Sequence, residues 1–209
     1  MILLGAFLTV PAFAQSTNGN AVFAIDADLA QIGYQPDSTY VIGIGASQQV
    51  GFGIYVEKVN PLRSFNIDVT WDGTLADLST KSGTLVEAED LTINGQAITL
   101  PDEANLLNDP QRGPGEVKET GHYYGAYAQF GGTEVTSDAF GLLYFFALKT
   151  KATFTVDTTM LVAVKVTIGW TTGGVGSRSL GQRYFYVNKN IVDVKSSSWG
   201  EIKNQFKDF

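Results

Sequence analysis

The sequence predicts an all-β domain, a sandwich of two facing sheets. Residues 48–72 contain two runs in which apolar and polar side chains alternate strictly. The apolar positions of these runs are Val50, Phe52, Ile54 and Val56, followed by Phe65, Ile67, Val69 and Trp71. Because successive side chains of a strand point to opposite faces, both runs are expected to be half-buried strands.

The segment that joins these two runs supports the same fold class. Residues 58–63 are too few for a helical crossover, and the Asn60-Pro61 pair within them is a turn signal. The two strands should therefore pair antiparallel, or the chain should step from one sheet to the facing sheet.

Further strands are predicted on both sides of this pair. Residues 141–150, GLLYFFALKT, are apolar on both faces, which predicts a central strand that is covered on both sides. Residues 161–170 alternate again, with Trp170 on the inward face. Shorter strands are expected at 21–25, 40–46, 153–156 and 183–187. Asn94-Gly95 predicts a hairpin within residues 91–100, and the glycine-rich residues 171–181 predict a flexible loop.

One domain accounts for most of the chain. With 209 residues, 44% of them hydrophobic, the chain can bury one sizeable core, assigned to residues 21–190. The pattern loosens over 79–138, which predicts a long inserted excursion. Residues 1–14 read as a secretion signal because an apolar run ends in the small-x-small pattern Ala12-Phe13-Ala14, although no Lys or Arg precedes it. Residues 15–20 are a spacer, and 191–209 form a tail.

Composition argues against several classes of function. The 14 Lys and Arg residues are outnumbered by 21 Asp and Glu residues and form no basic cluster, so a nucleic-acid partner is not expected. There is no cysteine, and a single histidine cannot build a histidine-based metal site. No serine lies in a Gly-x-Ser-x-Gly elbow. We therefore expect no enzyme, no cofactor, no metal and no transmembrane span.

Both ends of the chain are candidates for contacts between subunits. The apolar residues of the first strand, Val22, Phe23 and Ile25, follow a flexible spacer. In the tail, a Ser-x-x-Glu capping pattern predicts a short amphipathic helix whose apolar side carries Trp199, Ile202 and Phe206. Both segments can pack on their own sandwich or on a neighbouring subunit. In the second case a head-to-tail contact would produce a fibre.

Aromatic residues between glycines at 121–132 form a candidate ligand surface. Tyr123, Tyr124 and Tyr127 lie in this segment, and Trp170 is a further aromatic candidate. Flat rings at an exposed loop would suit sugar rings or a protein partner, so a polysaccharide is a possible ligand. The alternative is that Tyr123 and Tyr127 are strand residues that cover the edge of the core.

The order of these elements resembles the bacterial cohesin-type domains and the related carbohydrate-binding modules. The resemblance lies in residues 50–56, in the NPLRSFNIDVTWD segment at 60–72 and in the later strand at 141–149, and it extends over residues 38–190. It implies an Ig-like or jelly-roll sandwich of about nine strands, of the kind found in secreted bacterial proteins and without catalytic activity. The long excursion and the absence of a dockerin-like calcium repeat depart from that family.

These observations together predict a secreted, non-catalytic structural or interaction protein of the cell exterior. The favoured form is a self-assembling surface or filament subunit, a homo-oligomer or polymer held together by its terminal segments. The alternative is a carbohydrate-binding module that uses the aromatic segment.

Overall fold

The computed structural model describes residues 18–27, 34, 40–80, 82–83, 92–93, 96–97, 106–107, 110–131 and 133–188. The predicted secretion signal, the predicted tail and its helix with Trp199, Ile202 and Phe206 lie outside the described residues. None of the described segments is a helix long and apolar enough to cross a membrane.

A 3-10 turn at Asn18–Asn20 precedes a series of strands. The strands are β1 (Val22–Asp26), β2 (Tyr40–Val41), β3 (Gln49–Glu57), β4 (Val59–Leu62), β5 (Ser64–Thr70), β6 (Ala76–Leu78), β7 (Thr92–Ile93), β8 (Gln96–Ala97), β9 (Gln111–Arg112), β10 (Val117–Glu119), β11 (His122–Ala128), β12 (Val135–Ser137), β13 (Gly141–Thr150), β14 (Met160–Trp170) and β15 (Gly176–Val187).

Two sheets form the sandwich. The four-stranded sheet has the order β1-β3-β13-β6, and the seven-stranded sheet has the order β10-β11-β5-β14-β15-β2, with β9 joined to β11. Within these two sheets every pairing is antiparallel except that of β15 with β2. The predicted all-β sandwich is confirmed.

The core lies between the two sheets and contains the residues that the alternation predicted. All eight apolar positions of residues 48–72 are buried, and β3 and β5 lie in different sheets. The segment 58–63 therefore steps the chain from one sheet to the facing one, as the second of the two predicted arrangements requires. Phe52 lies at the centre, with its ring centroid 5.4 Å from that of Phe146 and 4.5 Å from that of Phe185.

The strand β13 is central and covered on both faces, as its sequence predicted. It pairs with β3 on one side and with β6 on the other, and every side chain from Leu142 to Leu148 is buried. Beyond β6 the same edge continues at Gly83, whose backbone exchanges two hydrogen bonds of 2.9 Å with Phe145.

The first strand packs on its own subunit. β1 pairs with β3 along five residues, and the side chains of Phe23 and Ile25 are each only 1% exposed. The turn before it is held by Asn18, whose amide nitrogen donates to Pro61 O at 2.8 Å. The apolar surface of Phe23 and Ile25 lies in this core, which is the arrangement on their own sandwich that the sequence allowed beside a contact with a neighbouring subunit. Val22 remains 37% exposed.

Several predicted boundaries differ from the structure. The hairpin at Asn94-Gly95 is confirmed by the pairing of β7 with β8. The strand predicted at 40–46 is reduced to the two residues of β2. The predicted loop at 171–181 contains the start of β15, because backbone pairing with β14 continues through small polar residues that show no apolar alternation. The predicted excursion 79–138 includes β11, which is an integral strand of the larger sheet.

Residues 153–156 form turns where a strand was predicted. Thr158 N donates to Thr155 O at 3.0 Å, and the Thr158 hydroxyl accepts from Thr155 N at 3.1 Å. Phe154 is nevertheless 1% exposed and belongs to the core. The apolar residues of this segment therefore predicted its burial correctly, but the predicted strand is wrong.

Candidate functional site

The aromatic segment is a strand, and this corrects its interpretation as an exposed ligand loop. In β11 the side chains of Tyr123 and Tyr127 point into the sandwich and are 0% and 1% exposed. Neither ring has a face that a sugar could stack on. Tyr124 points to the outer face and is half-buried. The positions of Tyr123 and Tyr127 agree with the alternative interpretation, in which they are strand residues that cover the core.

The hydroxyl groups of three buried tyrosines meet between the two sheets. Tyr144, on β13, donates to the Tyr123 oxygen at 3.1 Å, and the Tyr123 and Tyr127 oxygens are 2.8 Å apart. Tyr123 in turn donates to Glu116 Oε1 at 3.1 Å. Because Tyr123 has one hydroxyl hydrogen and gives it to Glu116, Tyr127 must be the donor to Tyr123.

Burial keeps these phenols neutral. Loss of solvation raises the pKa of Tyr144 well above its usual value. Burial likewise raises the pKa of Tyr123, and the hydrogen bond with Tyr127 adds to the effect. The phenolate forms are disfavoured because a charge is poorly solvated in the interior. The hydroxyls of Tyr144 and Tyr123 thus act as neutral hydrogen-bonding groups.

Two cations lie beside Glu116, the carboxylate that accepts the hydrogen bond of Tyr123. Arg112 Nη1 lies 3.1 Å from Glu116 Oε2, and Lys118 Nζ lies 3.1 Å from Glu116 Oε1. Burial raises the pKa of Glu116, but the hydrogen bond from Lys118 and the positive charge of Arg112 outweigh it and lower the pKa overall. Glu116 is therefore ionised at neutral pH, and two cations share this one carboxylate.

A cleft of about 580 Å³ opens beside this cluster. Arg112 and Lys118 line one side of the cleft, and the hydroxyl-bearing residues Ser79, Thr80 and Ser82 line the other. Tyr123 and Tyr144 also contribute to its lining. Ser82 is held in place, because its hydroxyl accepts from Ala147 N and donates to Ala147 O, each at 2.8 Å.

A second candidate surface is the outer face of the seven-stranded sheet, which faces away from the core. One row of neighbouring side chains crosses β11, β5, β14 and β15, and it consists of Tyr124, Asp68, Lys165 and Gln182. His122 on this face has its Nε2 atom 3.0 Å from Asp68 Oδ1. The lone histidine is thus a partner of Asp68 on a sheet surface.

A group of apolar and aromatic side chains lies at one corner of this face, and we call it the tyrosine patch. Leu161 pairs with Tyr186, Tyr186 pairs with Tyr40, and Tyr184 is two residues from Tyr186 on the same face of β15. Leu161 and Tyr184 are each 45% exposed, Tyr40 is 38% exposed and Tyr186 is half-buried. The sequence analysis missed this patch. The signal was present in RYFYV, where Phe185 and Val187 alternate with Tyr184 and Tyr186.

Trp170 does not join the other predicted ligand residues. It lies at the end of β14, half-buried against the core, and its indole covers Gly176, where a Cβ atom would be only 2.6 Å from the ring. Tyr124 of β11 lies level with Asp68 of β5, and Asp68 lies level with Lys165 of β14. Lys165 is five positions before Trp170 in the same strand. At about 3.4 Å per residue this separates Trp170 from Tyr124 by roughly 17 Å along the strand.

The most exposed apolar side chains lie at the two ends of the sandwich. Near Met160, where β14 begins, Ile42 is 66% and Val156 is 58% exposed. Near Trp170, where β14 ends, Phe130 is 72% and Val175 is 90% exposed. We call these pairs the first end (Ile42 and Val156) and the second end (Phe130 and Val175). The 11 residues of β14 span about 36 Å between them.

The loops of the second end are held by a carboxylate. Glu134 Oε2 accepts from Thr172 N at 2.9 Å, and Glu134 Oε1 accepts from the Thr171 hydroxyl at 2.6 Å. Burial opposes ionisation of Glu134, but the hydrogen bonds from Thr171 and Thr172 dominate and lower its pKa to about 2. This interaction joins the loop after β11 to the turn that links β14 and β15.

No group of three or more potential metal ligands is found among the side chains that the structure describes. No family model matches this chain, and no curated protein matches it in sequence.

Several solved structures are similar to the chain in fold. One is the sixth cohesin of scaffoldin B from Acetivibrio cellulolyticus, with 11% identity, a TM-score of 0.48 and coverage of 80% of this chain and 97% of that one. Another is a non-cellulosomal cohesin from Archaeoglobus fulgidus, with 8% identity, a TM-score of 0.47 and coverage of 90% and 98%. A type I cohesin from Pseudobacteroides cellulosolvens has 11% identity, a TM-score of 0.46 and coverage of 80% and 91%. Each of these solved structures is a cohesin, the type of domain that the sequence resembles, and the similarity concerns the fold alone.

Proposed function

We propose that this chain is a non-catalytic structural protein of the cell exterior whose sandwiches associate end to end into a filament. The observation that carries the proposal is the position of the exposed apolar residues. The four most exposed large apolar side chains of the described residues are Ile42, Phe130, Val156 and Val175, and they divide evenly between the first end and the second end. Isolated apolar residues are ordinary on a surface, but pairs at opposite ends of one strand are suited to contacts between copies.

The geometry of the two ends determines the kind of assembly. The first end and the second end are different surfaces, so a contact between them is heterologous. A heterologous contact that does not close into a ring continues as a filament. This modifies the expectation from the sequence, because the contacts are assigned to loops of the sandwich and the apolar residues of β1 are used in the core.

The proposed location rests on the pattern in the first residues. The apolar run that ends in Ala12-Phe13-Ala14 fits a secretion signal with cleavage before Gln15. Intact-mass measurement of protein recovered outside the cell tests this, and a mass that includes residues 2–14 would contradict it.

Light scattering and electron microscopy test the assembly. The mature protein should form filaments whose mass increases with concentration. A first-end variant, Ile42→Asp with Val156→Asp, and a second-end variant, Phe130→Asp with Val175→Asp, should each remain monomeric because a charge is costly to bury in an apolar contact. Gln182→Asp is the matched control, since Gln182 is exposed in the middle of the sheet, opposite Lys165 and away from both ends, and it should still form filaments.

Mixing the two variants gives the sharpest result. Each variant keeps one intact end, so an equimolar mixture should form dimers and nothing larger. A monomeric parent protein at high concentration would refute the proposal. Filaments in both variants would show that other surfaces make the contact.

A further inference from the structure

The strand β15 has an open edge. It pairs with β14 from Gly176 to Val187, but on its other side it meets only β2, through Tyr186 and Val187. Among the residues that the structure describes, no strand pairs with residues 176–185 on that side. Alternate residues of a strand direct their N–H and C=O groups to opposite sides, so about half of this stretch offers backbone groups to an incoming strand.

A bulge divides this edge into two stretches. The pairing with β14 shifts between Gln182 and Ser179, and Gly181 between them has a left-handed φ of +89°. The Gly181 N–H donates to the Ser179 hydroxyl, with N and O 3.3 Å apart. Because a bulge interrupts the regular ladder, an added strand can pair along 176–179 and along 182–185.

Two arginines lie along the inner side of the edge. Arg178 and Arg183 point to the same side of the sheet as the core residues with which they pair in β14. The guanidinium carbon of Arg183 lies 5.4 Å from the centroid of the Phe23 ring on β1, and Nη1 of Arg178 donates to Asn18 O. Both arginines therefore lie where β15 approaches β1, at the open side of the sandwich.

Neither arginine is neutralised by a carboxylate. Within the part of the chain that the structure describes, the Arg178 guanidinium contacts the Asn18 carbonyl, the Arg183 guanidinium contacts the Phe23 ring, and neither forms an ion pair. A guanidinium has several N–H donors, so both arginines keep donors for a ligand. The chain carries a formal net charge of −7, which makes this edge a local positive feature. A strand that brings carboxylates is favoured, since arginine binds carboxylates in a bidentate way.

The outer side of the same edge is aromatic. Tyr184 is 45% exposed, and Tyr186 on the same face is half-buried. The side chains of an added strand alternate between the two sides of the sheet. Carboxylates on one side would reach the arginines, and β-branched side chains on the other would contact the tyrosine rings. The edge thus fits an extended segment in which acidic and apolar residues alternate.

A second copy of the same edge is a poor occupant. Two β15 strands in antiparallel pairing would bring the Arg178 and Arg183 side chains of both copies to one seam. Like charges that face each other across strands are destabilising, and inward-pointing charges are a common protection against such pairing. The charges that disfavour a second copy are the same ones that favour an acidic strand.

We propose that the open edge of β15 binds an extended acidic segment of another protein as an added strand. Backbone hydrogen bonds supply affinity, and Arg178 and Arg183 select for carboxylates. This surface runs along the side of the sandwich, between the first end and the second end. The proposal is therefore independent of filament formation, and a monomer should bind as well as a filament.

Fluorescence anisotropy with the labelled peptide acetyl-TVEVEVTV-amide tests the proposal on the full mature chain at neutral pH. A peptide with lysine in place of each glutamate should bind at least about tenfold more weakly, because it repels the arginines. A glutamate peptide with N-methyl groups on all its central residues should also lose at least about tenfold, because it cannot complete the ladder. Hydrogen exchange should show that the glutamate peptide protects residues 176–185.

Variants of the edge separate binding from folding. Arg178→Gln and Arg183→Gln should each weaken binding of the glutamate peptide several-fold. Lys165→Gln is the matched control, because Lys165 is an exposed cation of β14 on the outer face, and its affinity should equal that of the parent. Arg178→Glu combined with Arg183→Glu should reverse the preference, so that the lysine peptide binds more tightly. A failure to fold cannot produce such a reversal.

Several results would overturn the proposal. The parent could fail to bind the glutamate peptide, the lysine or N-methylated peptide could bind as tightly, or the double variant could keep the preference of the parent. Dimers of the parent in which residues 176–185 are protected without any peptide would also overturn it, because a second copy would then occupy the edge.

Discussion

Tyr144 and Tyr123 are joined by a hydrogen bond that crosses from one sheet of the sandwich to the other, with the two oxygens 3.1 Å apart. Their rings are stacked as well, with centroids separated by 5.9 Å. The Tyr123 oxygen also accepts from Tyr127 and donates to Glu116. The interior of the sandwich thus contains a polar cluster that reaches to the wall of the cleft.

Replacement of Tyr123 by phenylalanine should destabilise the protein by about 1–3 kcal/mol, because the hydrogen bonds of the Tyr123 hydroxyl with Tyr144, Tyr127 and Glu116 would be lost in the interior. Urea unfolding at neutral pH measures this loss. Tyr124→Phe is the matched control on the outer face of the same strand and should change the free energy of unfolding by less than about 0.5 kcal/mol. Equal effects of the two variants would show that the cluster does not contribute to stability.

Replacement of Phe52 by alanine should cost about 3–5 kcal/mol, since Phe52 is fully buried between Phe146 and Phe185 and its removal leaves a cavity. Thermal or urea unfolding provides the measurement. Phe130→Ala, at a site that is 72% exposed, should cost much less. A small loss for Phe52→Ala would mean that the core can rearrange to fill the space.

The ionised form of Glu134 should stabilise the second end at neutral pH, and this stabilisation should be lost at strongly acidic pH. Its folded pKa of about 2 lies below the unfolded value of about 4.3, so its contribution is present above pH 4.3 and is lost as the pH falls towards 2. Because Glu134 is only partly buried, Glu134→Gln should cost only about 1 kcal/mol at pH 7. The difference between parent and variant in urea unfolding should vanish near pH 2, and a constant difference would contradict the assignment.

At alkaline pH, the free energy of unfolding should fall because Tyr55 ionises more easily in the unfolded chain. Burial, helped by the negative charge of Asp26, raises the pKa of Tyr55 to about 12. The unfolded phenol ionises near pH 10, so the stability that it provides is complete below pH 10 and declines between pH 10 and 12. This decline is at most about 1.4 kcal/mol per pH unit for one group. In Tyr55→Phe the free energy of unfolding should fall less steeply above pH 10, and an unchanged slope would refute the prediction.

The core was predictable because strand periodicity follows directly from backbone geometry. The alternation around Phe52 and Phe65 identified buried faces, and the apolar run at 141–150 identified a strand covered on both sides. The pairing of the strands was harder to predict from the sequence than the core. The parallel contact of β2 with β15 joins residues that are far apart in sequence, and two residues of pattern cannot indicate their partner.

The candidate sites were harder to find than the core. Tyr123 and Tyr127 look like ligand residues in the sequence because glycines surround them, and the glycines are in fact required by packing. A Cβ atom at Gly125 would lie 2.5 Å from the Tyr123 hydroxyl oxygen. The cleft depends on Arg112 and Lys118, which are brought to the sandwich by two short strands without periodicity. Only the folded arrangement shows that their charges meet at Glu116.

The position of β15 determines when the larger sheet can form. This strand supplies Phe185 and Val187 to the same core as Phe23 and Ile25 of β1, and it lies between β14 and β2. A ribosome must therefore synthesise residue 187 before β2 has its neighbour and before β14 is paired on both sides. The growing chain has to remain unpaired at this edge until then, so β15, the last of the strands that the structure describes, sets the earliest moment at which this sheet can be complete.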